Sequence, residues 1–64
     1  MNEVLQDKTN ELILELLEKN EDMSFGSIVK DLGISAERGL QHMLQLREKG
    51  LVKVASQSKY ALNV

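Results

Sequence analysis

The sequence predicts a small α+β domain, mainly helical, with three helices followed by a two- or three-stranded antiparallel hairpin. Three observations carry that expectation. Apolar residues recur at helical spacing in three segments between residues 9 and 49, broken by Asn20-Glu21-Asp22 and by Gly33-Ile34. From Leu51 onward the apolar period drops from 3.6 to 2, as it does along a half-buried strand. Finally, 64 residues with no cysteine and no proline make one domain over 1–64, stabilised by packing alone.

Residues 9–19 are mostly good helix formers. At 100° per residue Leu12, Ile13, Leu16 and Leu17 form one stripe, with Glu11, Glu15 and Glu18 opposite. Leu14 lies off that stripe, and Asp7 or Thr9 is a suitable N-cap. The segment Met23-Ser24-Phe25 is too short for more than a bridging strand. Ser24 is placed to cap a second helix, Phe25–Leu32, with Phe25, Ile28, Val29 and Leu32 inward and Gly26, Ser27 and Lys30 outward. Gly33 stands where the backbone turns left-handed after a helix. Ile34 plugs the turn, Ser35 caps a third helix over 36–49, and Gly50 stops it. Residues 51–55 and 59–64 then read as two strands joined by Ser56-Gln57-Ser58, and residues 1–6 are expected to fray.

Charge is unevenly divided. The net charge is −2, yet residues 1–32 carry eight acids against three bases, whereas residues 33–64 carry two acids (Glu37, Glu48) against five bases (Arg38, Arg47, Lys49, Lys53, Lys59). One face of an acidic protein is therefore expected to be cationic. No run of about 18 apolar residues suits a membrane span, and residues 1–7 lack the pattern of a secretory signal. The lack of cysteine fits a cytoplasmic location. No glycine-rich phosphate loop, nucleophile–base spacing or paired metal ligands is visible, so neither catalysis nor a cofactor is expected. His42, the lone histidine, has no partner ligand for a metal. Phe25 and Tyr60 read as core anchors.

The order of elements, with Asp31-Leu32-Gly33-Ile34-Ser35 at the turn and Met43-Leu44-Gln45-Leu46-Arg47-Glu48-Lys49-Gly50-Leu51-Val52 at the exit, resembles the winged helix-turn-helix superfamily of small prokaryotic or viral type. The resemblance covers residues 8–64. It implies that the turn sets two helices at a steep angle, that helix 36–49 is the recognition helix, and that the 51–64 hairpin is the wing. By the same resemblance the chain is a DNA-binding transcriptional regulator. One departure is Gly39, where the superfamily usually has a β-branched or other apolar residue. Glycine costs about 1 kcal/mol in a helix interior, so it implies either a close approach by the second helix or a local bend. The length is also similar to the Z-DNA-binding subclass. That activity needs an Asn and a Tyr where this chain has Leu40 and Leu44, and wing prolines that are absent here, so it does not transfer.

On the third helix Ala36, Gly39, Leu40, Met43, Leu46 and Arg47 share the closing side, and Arg38, Gln41, His42, Gln45 and Lys49 the opposite one. Arginine reads guanine bidentately and glutamine reads adenine from a helix in the major groove, so Arg38, Gln41, His42 and Gln45 are the expected base contacts. Ser27, Ser35, Lys49, Lys53, Ser56, Gln57, Ser58 and Lys59 are the expected contacts to the DNA backbone, which position without reading sequence. A polar helix face can also be simply solvated, and lysines on a hairpin also protect a strand edge. The competing use of the fold is protein docking through the acidic face of the first helix, around Glu11, Glu15, Glu18, Glu21 and Asp22. RNA binding is disfavoured by the scarcity of aromatic side chains. Double-stranded DNA is thus the expected partner. A lone reader makes few contacts, which favours a homodimer or a protein partner, with Leu14 and Leu44 as candidate dimer residues.

Overall fold

In a computed structural model, which describes residues 7–56 and 58–63, the elements follow in the order α1 (Lys8–Lys19), β1 (Asp22–Ser24), α2 (Phe25–Leu32), α3 (Ala36–Glu48), β2 (Val52–Ser56) and β3 (Lys59–Leu62). The expectations for residues 1–6, for Gln57 and for Val64 lie outside the described residues. Local chemistry accounts for each boundary. The Asp7 carboxylate accepts from the backbone N–H of Thr9 at 2.9 Å and of Asn10 at 3.2 Å, opening α1. Ser24 Oγ accepts from Ser27 N–H at 3.2 Å to open α2, and Ser35 Oγ accepts from Arg38 N–H at 3.1 Å to open α3.

The two later helices stop by the same device. Gly33 at φ 67° lets its own N–H reach Lys30 O while Ile34 N–H reaches Val29 O, both at 3.2 Å. Gly50 at φ 74° repeats this, with its N–H on Arg47 O at 3.0 Å and Leu51 N–H on Leu46 O at 2.9 Å. A left-handed residue with this pair of bonds satisfies carbonyls that a helix end would otherwise leave bare. Leu51 therefore belongs to the helix stop, and the first wing strand starts one residue later than its alternation suggested.

The sheet is antiparallel in the order β1-β3-β2, so β1 is a full edge partner of the wing. Met23 lies opposite Tyr60, Val54 opposite Tyr60 on the other side, and Val52 opposite Leu62. A register shift between Val54 and Ser56 draws Ser56 into β2, although its position suggested the hairpin loop. Asn63 fastens the far end of the sheet to the helix stop, its N–H on Leu51 O and its Nδ2 on Gly50 O, both at 3.0 Å.

Ile13, Leu17, Ile28, Met43, Leu46 and Val52 form the buried core, with Leu14, Met23, Leu32, Leu51, Tyr60 and Leu62 packed around it. Phe25 meets Tyr60 edge to face, with centroids 6.5 Å apart, which joins α2 to the sheet. The buried line of α1 is Asn10–Ile13–Leu17, so its centre is rotated from the stripe expected at Leu12, Ile13, Leu16 and Leu17. Leu14 is half-buried and packs against the core, whereas Leu12 and Leu16, also half-buried, are not part of that cluster.

Two contacts fix α3 in this core. At Gly39 an added Cβ would overlap Val29 Cγ1 and would lie 3.2–3.3 Å from the Phe25 ring, so the glycine is there for the close approach of α2. On the α1 side, Asn10 is fully buried and bridges the helices. Its Nδ2 donates to Gln45 Oε1 at 3.2 Å, and its Oδ1 lies 2.9 Å from His42 Nδ1. Because Oδ1 only accepts, the hydrogen sits on His42 Nδ1.

Gly39→Ala is expected to destabilise the domain by about 1–3 kcal/mol in urea unfolding, since overpacking against a stiff valine outweighs the gain in helix propensity. A G39A protein as stable as wild type would show that α2 can recede freely. Asn10→Ala is expected to cost about 1–3 kcal/mol by stranding the partly buried His42 donor. Long-range 15N–1H spectra of wild type should show a proton on His42 Nδ1, and an Nδ1 that carries none would break the bridge as described.

Candidate nucleic-acid interface

With Gly39, Met43 and Leu46 as its buried edge, α3 turns most of its remaining circumference to solvent. Arg38 and Gln41 are exposed, and Arg38 has no ion pair among the described residues. Both stand on the outer side of α3.

Gln45 is exposed but not unengaged. Its carbonyl accepts from Asn10, so Oε1 is turned toward α1 and the amide NH2 is the end left for solvent. A bidentate contact to adenine needs both ends of the amide. Gln41 retains both, whereas Gln45 offers a donor alone.

His42 departs from its expected place. Its side chain is only 12% exposed, Nδ1 is committed to Asn10, and the Asp7 carboxylate lies 3.8 Å from the same nitrogen. At 100° per residue His42 is one step from Met43 and lies at the margin of the buried edge, where the start of α1 covers it. It is a strut between helices rather than an outward donor.

Leu40 corrects the opposite side of the helix. Expected on the closing face, it is 50% exposed, and Leu44 one turn on is 46% exposed. Ala36 and Arg47, expected beside it, are exposed too. The cause is Gly39: close contact with α2 centres the buried edge on residue 39, and Leu40 is about 100° round from there.

The backbone-contact candidates spread over three elements. Ser27 and Ser35 are exposed at the starts of α2 and α3, but each is partly used locally. Ser27 Oγ accepts from Ser24 Oγ at 3.0 Å, and Ser35 caps α3. Lys49, at the end of α3, and Lys53, on β2, are exposed. Ser56 and Ser58 flank the wing tip, Ser58 with φ 69°, and the expectation for Gln57 is outside the described residues. Lys59 Nζ lies 3.8 Å from an Asp22 carboxylate oxygen, so the strand pairing that builds the sheet also places an acid beside this wing cation. A surface pair of this kind contributes about 0–1 kcal/mol, little enough for a phosphate to displace it.

Sequence reasoning missed one member of this region. Asn10 positions both His42 and Gln45, and its signal was its spacing: 10, 13 and 17 share one helix stripe. Among the described residues no group of three or more His, Cys, Asp or Glu could hold a metal ion, and no helix is long and apolar enough to cross a membrane.

Comparison with curated proteins gives no match. A family model described as winged helix-turn-helix DNA-binding matches residues 6–53, which run from the cap of α1 through α3 into the first wing strand. With that match over most of its length, and with three helices and a three-stranded antiparallel sheet in the corresponding order, this chain belongs to the winged helix-turn-helix DNA-binding family.

Proposed function

We propose that the domain is a transcriptional regulator that inserts α3 into the major groove of duplex DNA and sets the wing against the backbone. It acts by binding and not by catalysis. The observation that carries this reading is the exposed pair Arg38 and Gln41 on a helix whose other edge is locked in the core. Both carry groups suited to base edges, Arg38 to guanine and Gln41 to adenine. Gln45 adds a single donor through its NH2. Lys49 and Lys53 supply cations at the end of α3 and on β2, and Lys59 joins them once phosphate replaces Asp22. The start of α3 at Ser35, and of α2 near Ser27, adds positive helix ends.

A second reading is favoured by one feature of α1 and the turn that follows it. Glu11, Glu15, Glu18 and Glu21 are all exposed, which would suit a basic protein docked on that side. Such docking would leave α3 free, so the two readings differ in which surface responds.

Titration of labelled protein with duplex DNA at two salt concentrations tests the DNA reading. Affinity should fall steeply with salt, as it does when phosphate contacts release counterions. Arg38→Ala should lose about 1–3 kcal/mol and relax base preference, while Lys53→Ala should weaken all sequences alike and reduce the salt slope by about one. Absence of binding even at low salt would remove the DNA reading in favour of the acidic face of α1.

A further inference from the structure

Leu40 and Leu44 are large apolar side chains left half-exposed one turn apart on α3. They are flanked by Glu37 three residues before and Arg47 three residues after, both exposed. The spacing 3-4-3 keeps all four within about 80° of arc, a continuous strip along the helix. Neither charge has an opposite charge one helical turn away. The positions three and four away from Glu37 are Gly33, Ile34, Leu40 and Gln41, and those from Arg47 are Met43, Leu44, Gly50 and Leu51. No ion pair involves either residue among the described residues.

We propose that this strip is a self-pairing seam, on which a second copy of the chain lays its own α3 antiparallel about a two-fold axis beside residue 42. The order of residues along the strip selects that occupant. In an antiparallel pair centred there, Leu40 meets the partner's Leu44, Leu44 meets the partner's Leu40, and Glu37 meets the partner's Arg47 at both ends. A parallel pair would set Glu37 against Glu37 and Arg47 against Arg47. An isologous two-fold contact needs a surface that is complementary to itself when reversed, and acid–Leu–Leu–base has that property. The 3-4-3 pattern is also the spacing at which side chains of two helices interlock.

The seam is short. It falls well below the roughly 800 Å² per partner of standard stable interfaces, so the association is weak and concentration-dependent. It does not rest on the DNA reading and is measured without nucleic acid. Should α3 also enter the groove, the paired and the DNA-bound states exclude each other, because both cover the same helix.

Sedimentation of the intact chain across about 10 µM to 1 mM, the range in which weak interfaces of this size respond, is the test. The mass should rise from 7.2 kDa toward twice that value. Leu44→Ser, Glu37→Arg and Arg47→Glu should each weaken dimerisation by about tenfold, and the double swap E37R/R47E should recover most of the loss, as a coupled pair does in a double-mutant cycle. All four positions are exposed, so circular dichroism should confirm that each variant keeps the fold. A monomer at every concentration overturns the proposal. So does a Leu44→Ser variant that pairs as well as wild type, or a double swap no better than either single change.

Discussion

How close α2 can come to α3 at Gly39 decides which side of α3 reaches solvent. A side chain at that position would strike Val29 and crowd Phe25, and α2 would have to move out. With glycine there, the buried edge runs along Gly39, Met43 and Leu46, and the remaining arc of α3 is left outward. Phe25 shares this contact and also meets Tyr60, so the approach of the helices is tied to the sheet. A helix-breaking residue is thus kept in the middle of the helix because a tight crossing more than offsets its local cost.

Asn10 does for the α1 side what Gly39 does for the α2 side, by a different force. A buried amide is costly unless its hydrogen bonds are made, and here its oxygen faces His42 while its nitrogen faces Gln45. Apolar packing alone would let α3 rotate by small amounts among similar contacts. Directional bonds to two residues one turn apart fix that rotation, and with it the direction of Arg38 and Gln41. The same bonds remove His42 from the outer surface and halve what Gln45 can offer. The clamp and the proposed reading face therefore draw on one set of side chains.

Much of the fold was legible because it is written in local signals. Ser24, Ser35 and Asp7 cap helices by chemistry that depends on neighbours in sequence, and Gly33 and Gly50 end them for the same kind of reason. Legibility failed where the partner is distant in sequence. Hydrophobic counting favours Leu12 over Leu14 and gives Asn10 no role, since nothing within α1 shows where α3 will lie. Helical angles alone place Leu40 inside and His42 outside, because nothing within α3 shows that the glycine touched by α2 centres the buried edge. The Lys59–Asp22 pair depends on β1 joining the wing, a contact between segments 37 residues apart.

Chemical-shift mapping on isotope-labelled protein during addition of a duplex reports most directly whether the outward arc of α3 is the working surface. The Arg38, Gln41 and Gln45 side chains and the Lys53 amide should move together and saturate together, while the Met43 and Leu46 methyls beneath them stay nearly still. Shifts concentrated at Glu11, Glu15 and Glu18, with α3 silent, would contradict it.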